Sequence, residues 1–218
     1  MSKNVFNIAD ELVSNTYPGR GIIFGRTKDN KRNVAAYFIM GRSENSRNRV
    51  FVETEDGIRT EAFDPSRMTD PSLIIYHPVR VCAGRTVVTN GDQTDTICDY
   101  LRQGKSYIDA LRTRQFEPDA PNYTSRISGV INEDGSYSLS ILKNFTSDRT
   151  SNKRFFYEYD KPVPGLGHFI HTYLCDGDPL LPFRGEPKCV RIELPLQEFA
   201  DMMWDSLNEQ NKISLFVR

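Results

Sequence analysis

The 218-residue chain predicts an α+β fold of mainly antiparallel sheets with helices laid against them. Two observations carry that reading. Apolar, β-branched runs arrive in consecutive pairs joined by short turns, and the helix-period segments are bunched instead of alternating with single strands. A third bounds the size: 38% hydrophobic and 26% charged residues match an ordinary globular composition. The length suits one large domain, 1–218, with no internal repeat and no low-complexity linker.

In chain order, Val5, Ile8, Ala9, Leu12 and Val13 share one face of a short helix over 5–14, inside a helical extension of residues 1–16. Tyr17-Pro18-Gly19 breaks it. Runs 21–25 and 34–40 read as buried strands joined at Lys28 to Lys31, and Asp56-Gly57 marks a hairpin between 50–53 and 58–61. Residues 73–76 and 79–82 form a further strand interrupted by Pro78, and Ala83-Gly84 turns the chain into 86–89. Two helices follow, one over 94–102, the next opened by the Ser106-x-x-Asp109 capping box. Strands are expected near 125–131, 137–145, 153–159 and 168–174. A final helix over 195–208 places Leu196, Phe199, Ala200, Met203 and Leu207 on one side, and a strand over 213–217 closes the chain.

Charge narrows the function. Net charge is −1 at a pI near 6.3, so the basic surplus of a nucleic-acid binder is missing and positive charge must act locally, on a small anion. No signal peptide or membrane-length apolar run is present. Cys82, Cys98, Cys175 and Cys189 lack ligand-like spacing, and four free thiols in a reducing cytoplasm are the simplest expectation.

Local positive charge is concentrated in Gly41 to Arg49, where Arg42, Arg47 and Arg49 emerge with Ser43, Ser46, Asn45 and Asn48 between two apolar runs. Guanidinium forks match the paired oxygens of a phosphate, although a solvated loop is the commoner fate of such a stretch. Thr89 to Thr96 joins a strand to a helix start. Backbone N–H groups around Gly91 can face a ligand there, with Asn90, Asp92 and Thr94 suited to ribose or base; plain helix capping by Asp92 or Thr94 is the simpler alternative. Tyr76, beside the His77-Pro78 kink, can aim a phenol into a cavity or serve as a core residue with a satisfied hydroxyl. Glu117, before Pro118, is a candidate general base or an exposed loop acid.

Sharper motifs fail on geometry. His168 and His171, three apart on a strand, face opposite sides and cannot easily share a metal. Asp176-Gly177-Asp178 lacks the glycine and the glutamate of a calcium loop, and neither a dinucleotide fingerprint, nor a phosphate loop, nor a nucleophile elbow is present.

Five blocks in fixed order resemble the archaeal-type, stand-alone IMP cyclohydrolases. They are Tyr17-Pro18-Gly19-Arg20-Gly21; Arg42-Ser43 with Arg47; Tyr76 with Arg80; Val88 through Ile97; and Phe116-Glu117-x-Asp119 with Asn122 and Arg126-Ile127. The resemblance covers residues 17–131. The chain departs from the family pattern in its N-terminal extension, in Glu44-Asn45-Ser46, and in one extra residue between Asn122 and Arg126.

The resemblance implies a four-layer α/β/β/α sandwich similar to N-terminal-nucleophile hydrolases. It implies closure of 5-formamidoimidazole-4-carboxamide ribonucleotide (FAICAR) to IMP with loss of water, without cofactor or metal, by a homo-oligomer such as a tetramer. Catalytic roles would fall on Arg47, Tyr76 and Glu117. Substrate binding would fall on Arg42, Ser43, Arg49, Asn90, Gly91, Asp92, Thr94 and Arg126. Two alternatives compete: an N-terminal-nucleophile amidohydrolase that cleaves itself before Thr16, and a purine-nucleotide-binding protein without turnover.

Overall fold

The computed structural model describes residues 5–144 and 151–218. In chain order the elements are α1 (Ile8–Ser14), β1 (Arg20–Arg26), β2 (Asn33–Met40), α2 (Glu44–Arg47), β3 (Val50–Thr54), β4 (Gly57–Glu61), β5 (Val79–Cys82), β6 (Arg85–Thr89), α3 (Gln93–Arg102), α4 (Tyr107–Arg112), β7 (Arg126–Ile131), β8 (Tyr137–Asn144), β9 (Asn152–Tyr159), β10 (Leu166–His171), β11 (Lys188–Arg191), α5 (Leu196–Ser206) and β12 (Lys212–Val217). A 3-10 turn spans Pro65–Arg67.

Two antiparallel sheets result. One has five strands in the order β11-β10-β1-β2-β12; the other has seven, running β3 through β9 in sequence order. Their facing sides form the central core. Ile22, Phe24, Tyr37 and Ile39 of the first sheet meet Ile58, Val79, Val88, Ile127, Leu139 and Ile141 of the second. Alternate residues of β1 and β2 point outward instead, because successive side chains on a strand take opposite faces. Ile23, Ala36, Phe38 and Met40 thus pack under α1 (Ile8, Leu12) and α5 (Phe199, Met203). On the far side, Val87, Val130 and Leu142 pack under α3 and α4 through Ile97, Leu101, Tyr107 and Leu111. Helices, sheet, sheet, helices: the expected α/β/β/α layering is present.

Local chemistry sets the helix limits. Ser106 accepts from the Asp109 amide as the capping box requires, and Asn7 does the same for Ala9 at the start of α1. The β1–β2 turn keeps Asn30 in the left-handed region, which asparagine tolerates better than most residues.

Several expectations need correction. The cysteines are not all free: Cys82, at the end of β5, bonds Cys98 of α3, with Cα atoms 5.6 Å apart, while Cys175 and Cys189 are free. The reason is topological, since α3 lies across the sheet face from which Cys82 projects, a proximity that a sequence separation of 16 conceals. Residues 73–76 are not a strand. The amide and carbonyl of Tyr76 are taken up by Thr60, whose buried hydroxyl also reaches the Ile74 carbonyl, so β4 moors this segment partly through a side chain. The arginine-rich connection contains the helical turn α2, and β11 is an extra short edge strand. The last residue of the expected 137–145 strand lies outside the described residues.

Candidate functional site

In an antiparallel sheet, the start of one strand and the ends of its neighbours share a rim. Arg20 opens β1 and pairs across to Ile39 near the end of β2, while His171 ends β10 opposite Gly21. In the second sheet Tyr76 precedes β5, Thr89 ends β6 opposite Ser128, and Arg126 opens β7. The chain therefore delivers Arg20, the Gly41–Arg49 connection, Tyr76, the Asn90-Gly91 bend and Arg126 to one end of the sandwich. Glu117, on the connection between α4 and β7, joins them, its backbone N–H donating a hydrogen bond to the Thr124 carbonyl.

Arg49 is the most informative member. It is 3% exposed; its Nε donates to the Ser46 carbonyl at 2.7 Å, and both terminal nitrogens are buried without a partner. Burial and the neighbouring charge of Arg20 both push its pKa down. The Nε of Arg20 is likewise buried and unpartnered. Burial opposes its charge too, but Tyr173, Tyr17, Tyr76 and Glu117 around it outweigh that and hold its pKa above the ordinary value. Protein interiors rarely leave such donors idle, because an unpaired buried ion is strongly destabilising. The arrangement suits an incoming anion.

Glu117 lies beside these cations and is buried, at 4% exposed. Burial lifts its carboxyl to about 7 against the opposing pull of Arg126 and Arg20, with Asp119 adding to the rise. A group poised there can both take and return a proton at neutral pH. The Arg126 Nη1 stands 3.9 Å from Glu117, 2.7 Å from Asp92, and donates to the Gln93 side chain. Gly91 makes this convergence possible: a Cβ there would sit 2.5 Å from that nitrogen and 3.2 Å from the Glu117 carboxylate.

The remaining expected residues divide. Tyr76 is buried, and its hydroxyl meets that of Tyr37 at 2.8 Å. Asn90 spends its side chain on bracing, donating to the Ser125 carbonyl and accepting from the Ile127 amide and from Gln93. Thr94 bonds Thr89 and the Gly91 carbonyl. Asp92 makes no side-chain cap to α3 and instead pairs with Arg126 and Arg114. Ser43 caps α2. Arg42 is exposed, stacked over Tyr17 and bonded to Asp176 and the Gly177 carbonyl. Arg47 is exposed and, among the described residues, reaches only the Gly41 carbonyl, at 3.3 Å. The one-turn helix explains the split, since it aims Arg47 outward while Arg49, beyond its end, turns into the protein.

Arg20, Tyr37 and Tyr173 were not singled out from sequence. Arg20 had a signal: a cation between two glycines at the mouth of an otherwise buried strand. The Tyr173 hydroxyl meets Thr124 at 2.6 Å, and Thr124 in turn bonds Asp119, tying the Glu117 loop to the opposite sheet. His168 and His171 are engaged separately, with Tyr137 and the Tyr173 carbonyl, and no metal-competent cluster occurs among the described residues. A cavity of about 560 Å³ lies at the other end of the five-stranded sheet, lined by Lys28, Val34, Ile192, Leu196 and Arg218 among others, and none of the convergent groups borders it.

The four-layer sandwich thus gathers at one rim guanidinium nitrogens without partners and a carboxyl lifted to about 7, the groups that anion binding and proton transfer require. The chain belongs to the IMP cyclohydrolase-like family, whose model, described as "IMP cyclohydrolase-like protein", matches residues 17–218, well past the stretch that carried the resemblance. It is similar to proteins named IMP cyclohydrolase from Methanococcus aeolicus (29% identical, 73% of this chain and 75% of that protein), Methanopyrus kandleri (28%, 72% and 75%) and Methanosphaera stadtmanae (30%, 72% and 73%).

Proposed function

We propose that this chain is an IMP cyclohydrolase that closes FAICAR to IMP with loss of water. The observation that carries the reading is the pair of idle guanidiniums, Arg49 and Arg20, beside a carboxyl poised at about 7. A nucleotide supplies the anion those guanidiniums lack, and ring closure needs proton traffic but no electron transfer. Holding the carboxamide against the formyl group accounts for ~7–11 kcal/mol of barrier in favourable cases.

In this reading Arg49 and Arg20 receive the anionic end of the substrate. Glu117 takes a proton from the carboxamide nitrogen as that nitrogen bonds the formyl carbon, and Tyr76 gives its proton to the formyl oxygen as the C=O π bond breaks. The hydroxyl then departs as water with the proton held on Glu117, and the former formamide nitrogen gives its proton to the Tyr76 oxygen as the C=N bond forms, leaving one N–H on the former carboxamide nitrogen. Atoms and charge balance, and both side chains end as they began. Arg126 keeps Glu117 placed, while Asp92, Asn90, Gln93 and Thr94 hold the bend that carries Gly91. Arg42, Ser43 and Arg47 form the outer edge, within reach of the part of the ligand nearest solvent.

Residues 1–218 act as one unit in this proposal, as a homo-oligomer in the cytoplasm, with α1 a structural cover. Self-cleavage before Thr16 is disfavoured because it would remove Ile8 and Leu12 from the core beneath α5. Among the described residues no helix is long and apolar enough to cross a membrane. The test is incubation with FAICAR, with IMP followed by ultraviolet absorbance and chromatography. Stoichiometric conversion over many turnovers is expected; tight binding of IMP without conversion would reduce the protein to a nucleotide binder.

A further inference from the structure

We propose that Tyr37 is a positioning residue that fixes the direction of proton donation by Tyr76. Tyr37 lies on β2, fully buried, with its ring against Phe51 at 5.8 Å in the core between the sheets. Its hydroxyl has one partner among the described residues, the Tyr76 hydroxyl at 2.8 Å. Geometry alone does not say which phenol donates. Donor bookkeeping does.

A phenol carries one proton and can accept through its oxygen. If Tyr76 donated to Tyr37, the Tyr37 proton would be left in an apolar core with nothing to receive it. The charged groups acting on Tyr37, Arg49 and Arg20, are guanidiniums, which only donate. A buried O–H without an acceptor is unfavourable, and the two phenols differ in enclosure. Tyr37 is wholly enclosed, whereas Tyr76 keeps 6% of its surface exposed, so only the Tyr76 proton has an outlet and Tyr37 donates while Tyr76 accepts. The Tyr76 proton is then directed elsewhere. Its hydroxyl has no second partner among the described residues, and the cations within range of it, Arg20 and Arg49, cannot accept either. That proton is held for a ligand oxygen. Once it has left, the Tyr37 hydrogen bond is already in place and two cations already stand near the phenolate to favour it.

The inference rests on the cyclohydrolase reading, and the experiment separates the two. Turnover of FAICAR by the unmodified protein is measured first, and its absence sinks both. Given turnover, Tyr37→Phe keeps the ring and removes only the hydroxyl. We expect kcat to fall about ten- to a hundredfold, with KM and melting temperature nearly unchanged. In a Tyr76→Phe background the same change should have no further effect, as in a cycle of two coupled groups. Full activity of Tyr37→Phe, or an equal loss with and without Tyr76, overturns the inference and leaves the cyclohydrolase reading standing. Should the phenylalanine variant fold poorly, 3-fluorotyrosine at position 37 provides the second measurement. It keeps the shape, donates more strongly and should raise kcat; an unchanged or lower kcat would count against the assignment.

Discussion

The two ends of β1 carry the same side chain in opposite circumstances. At Arg26 the guanidinium donates to the Asn30 side chain at 2.9 Å, the Asn30 carbonyl at 2.9 Å and the Asn33 side chain at 2.6 Å, all within the adjoining turn. At Arg20, the other end of this seven-residue strand, the side chain makes no hydrogen bond or ion pair to any described residue, and its Nε is buried. One end of the sandwich satisfies its charges from its own loops. The other accumulates donors and leaves them waiting. An acceptor from outside the chain would complete the second arrangement, which is why we propose the rim with Arg20 and Arg49, and not the cavity of about 560 Å³ at the opposite end, as the functional one.

The contrast can be broken most severely at Glu117. Glu117→Gln should lower kcat by roughly 10²–10⁴-fold, the usual worth of a placed acid–base group, while nucleotide affinity survives. In the native enzyme kcat/KM should rise with pH through a midpoint near 7, and the variant should lose that inflection. Stability carries the matching sign. The folded carboxyl holds its proton up to about 7, whereas the unfolded chain releases it near about 4.3. The group's contribution is therefore complete below the unfolded value and is lost as pH rises through the folded one. Melting curves at pH 5 and pH 8 should show Glu117→Gln gaining on the native protein at the higher pH.

Next in size is Arg49→Lys, expected to lower kcat/KM by ~10²-fold, since an ammonium cannot reproduce a fork whose two terminal nitrogens wait for a ligand. An intact kcat/KM would remove Arg49 from the site. Arg49→Met asks the same question of stability. Removing a buried, unpaired charge should raise the melting temperature of the ligand-free protein by roughly 3–10 °C and abolish the further rise that IMP gives the native chain. The smallest effect belongs to the other end: Arg26→Ala should cost about 1 kcal/mol in urea unfolding and leave turnover untouched. A loss of activity there would erase the distinction between the two ends.

How much of this was legible in the sequence follows from the range of each signal. Strands such as Val34 to Met40 and helices such as α5 declare themselves through side-chain periodicity, a local property, and the resemblance supplied their layering. Glu117 and Tyr76 stood out through motif position. The same reasoning could not sort Arg47 from Arg49, because two residues of offset at the end of a one-turn helix separate solvent from core. Arg20 was quoted within a motif without being weighed, since its isolation from partners is a property of the packed rim. The Cys82–Cys98 bond was hidden for a related reason: only the docking of α3 on the second sheet brings the thiols together.

Gly91 carries a practical consequence. Its backbone is not in a glycine-only conformation, so alanine there spares the chain while its methyl group presses on the Arg126, Gln93 and Glu117 side chains. A single added carbon should yield a chemically silent twin, identical in outline to the working protein, against which ligand soaking, crystallisation and screening can be calibrated.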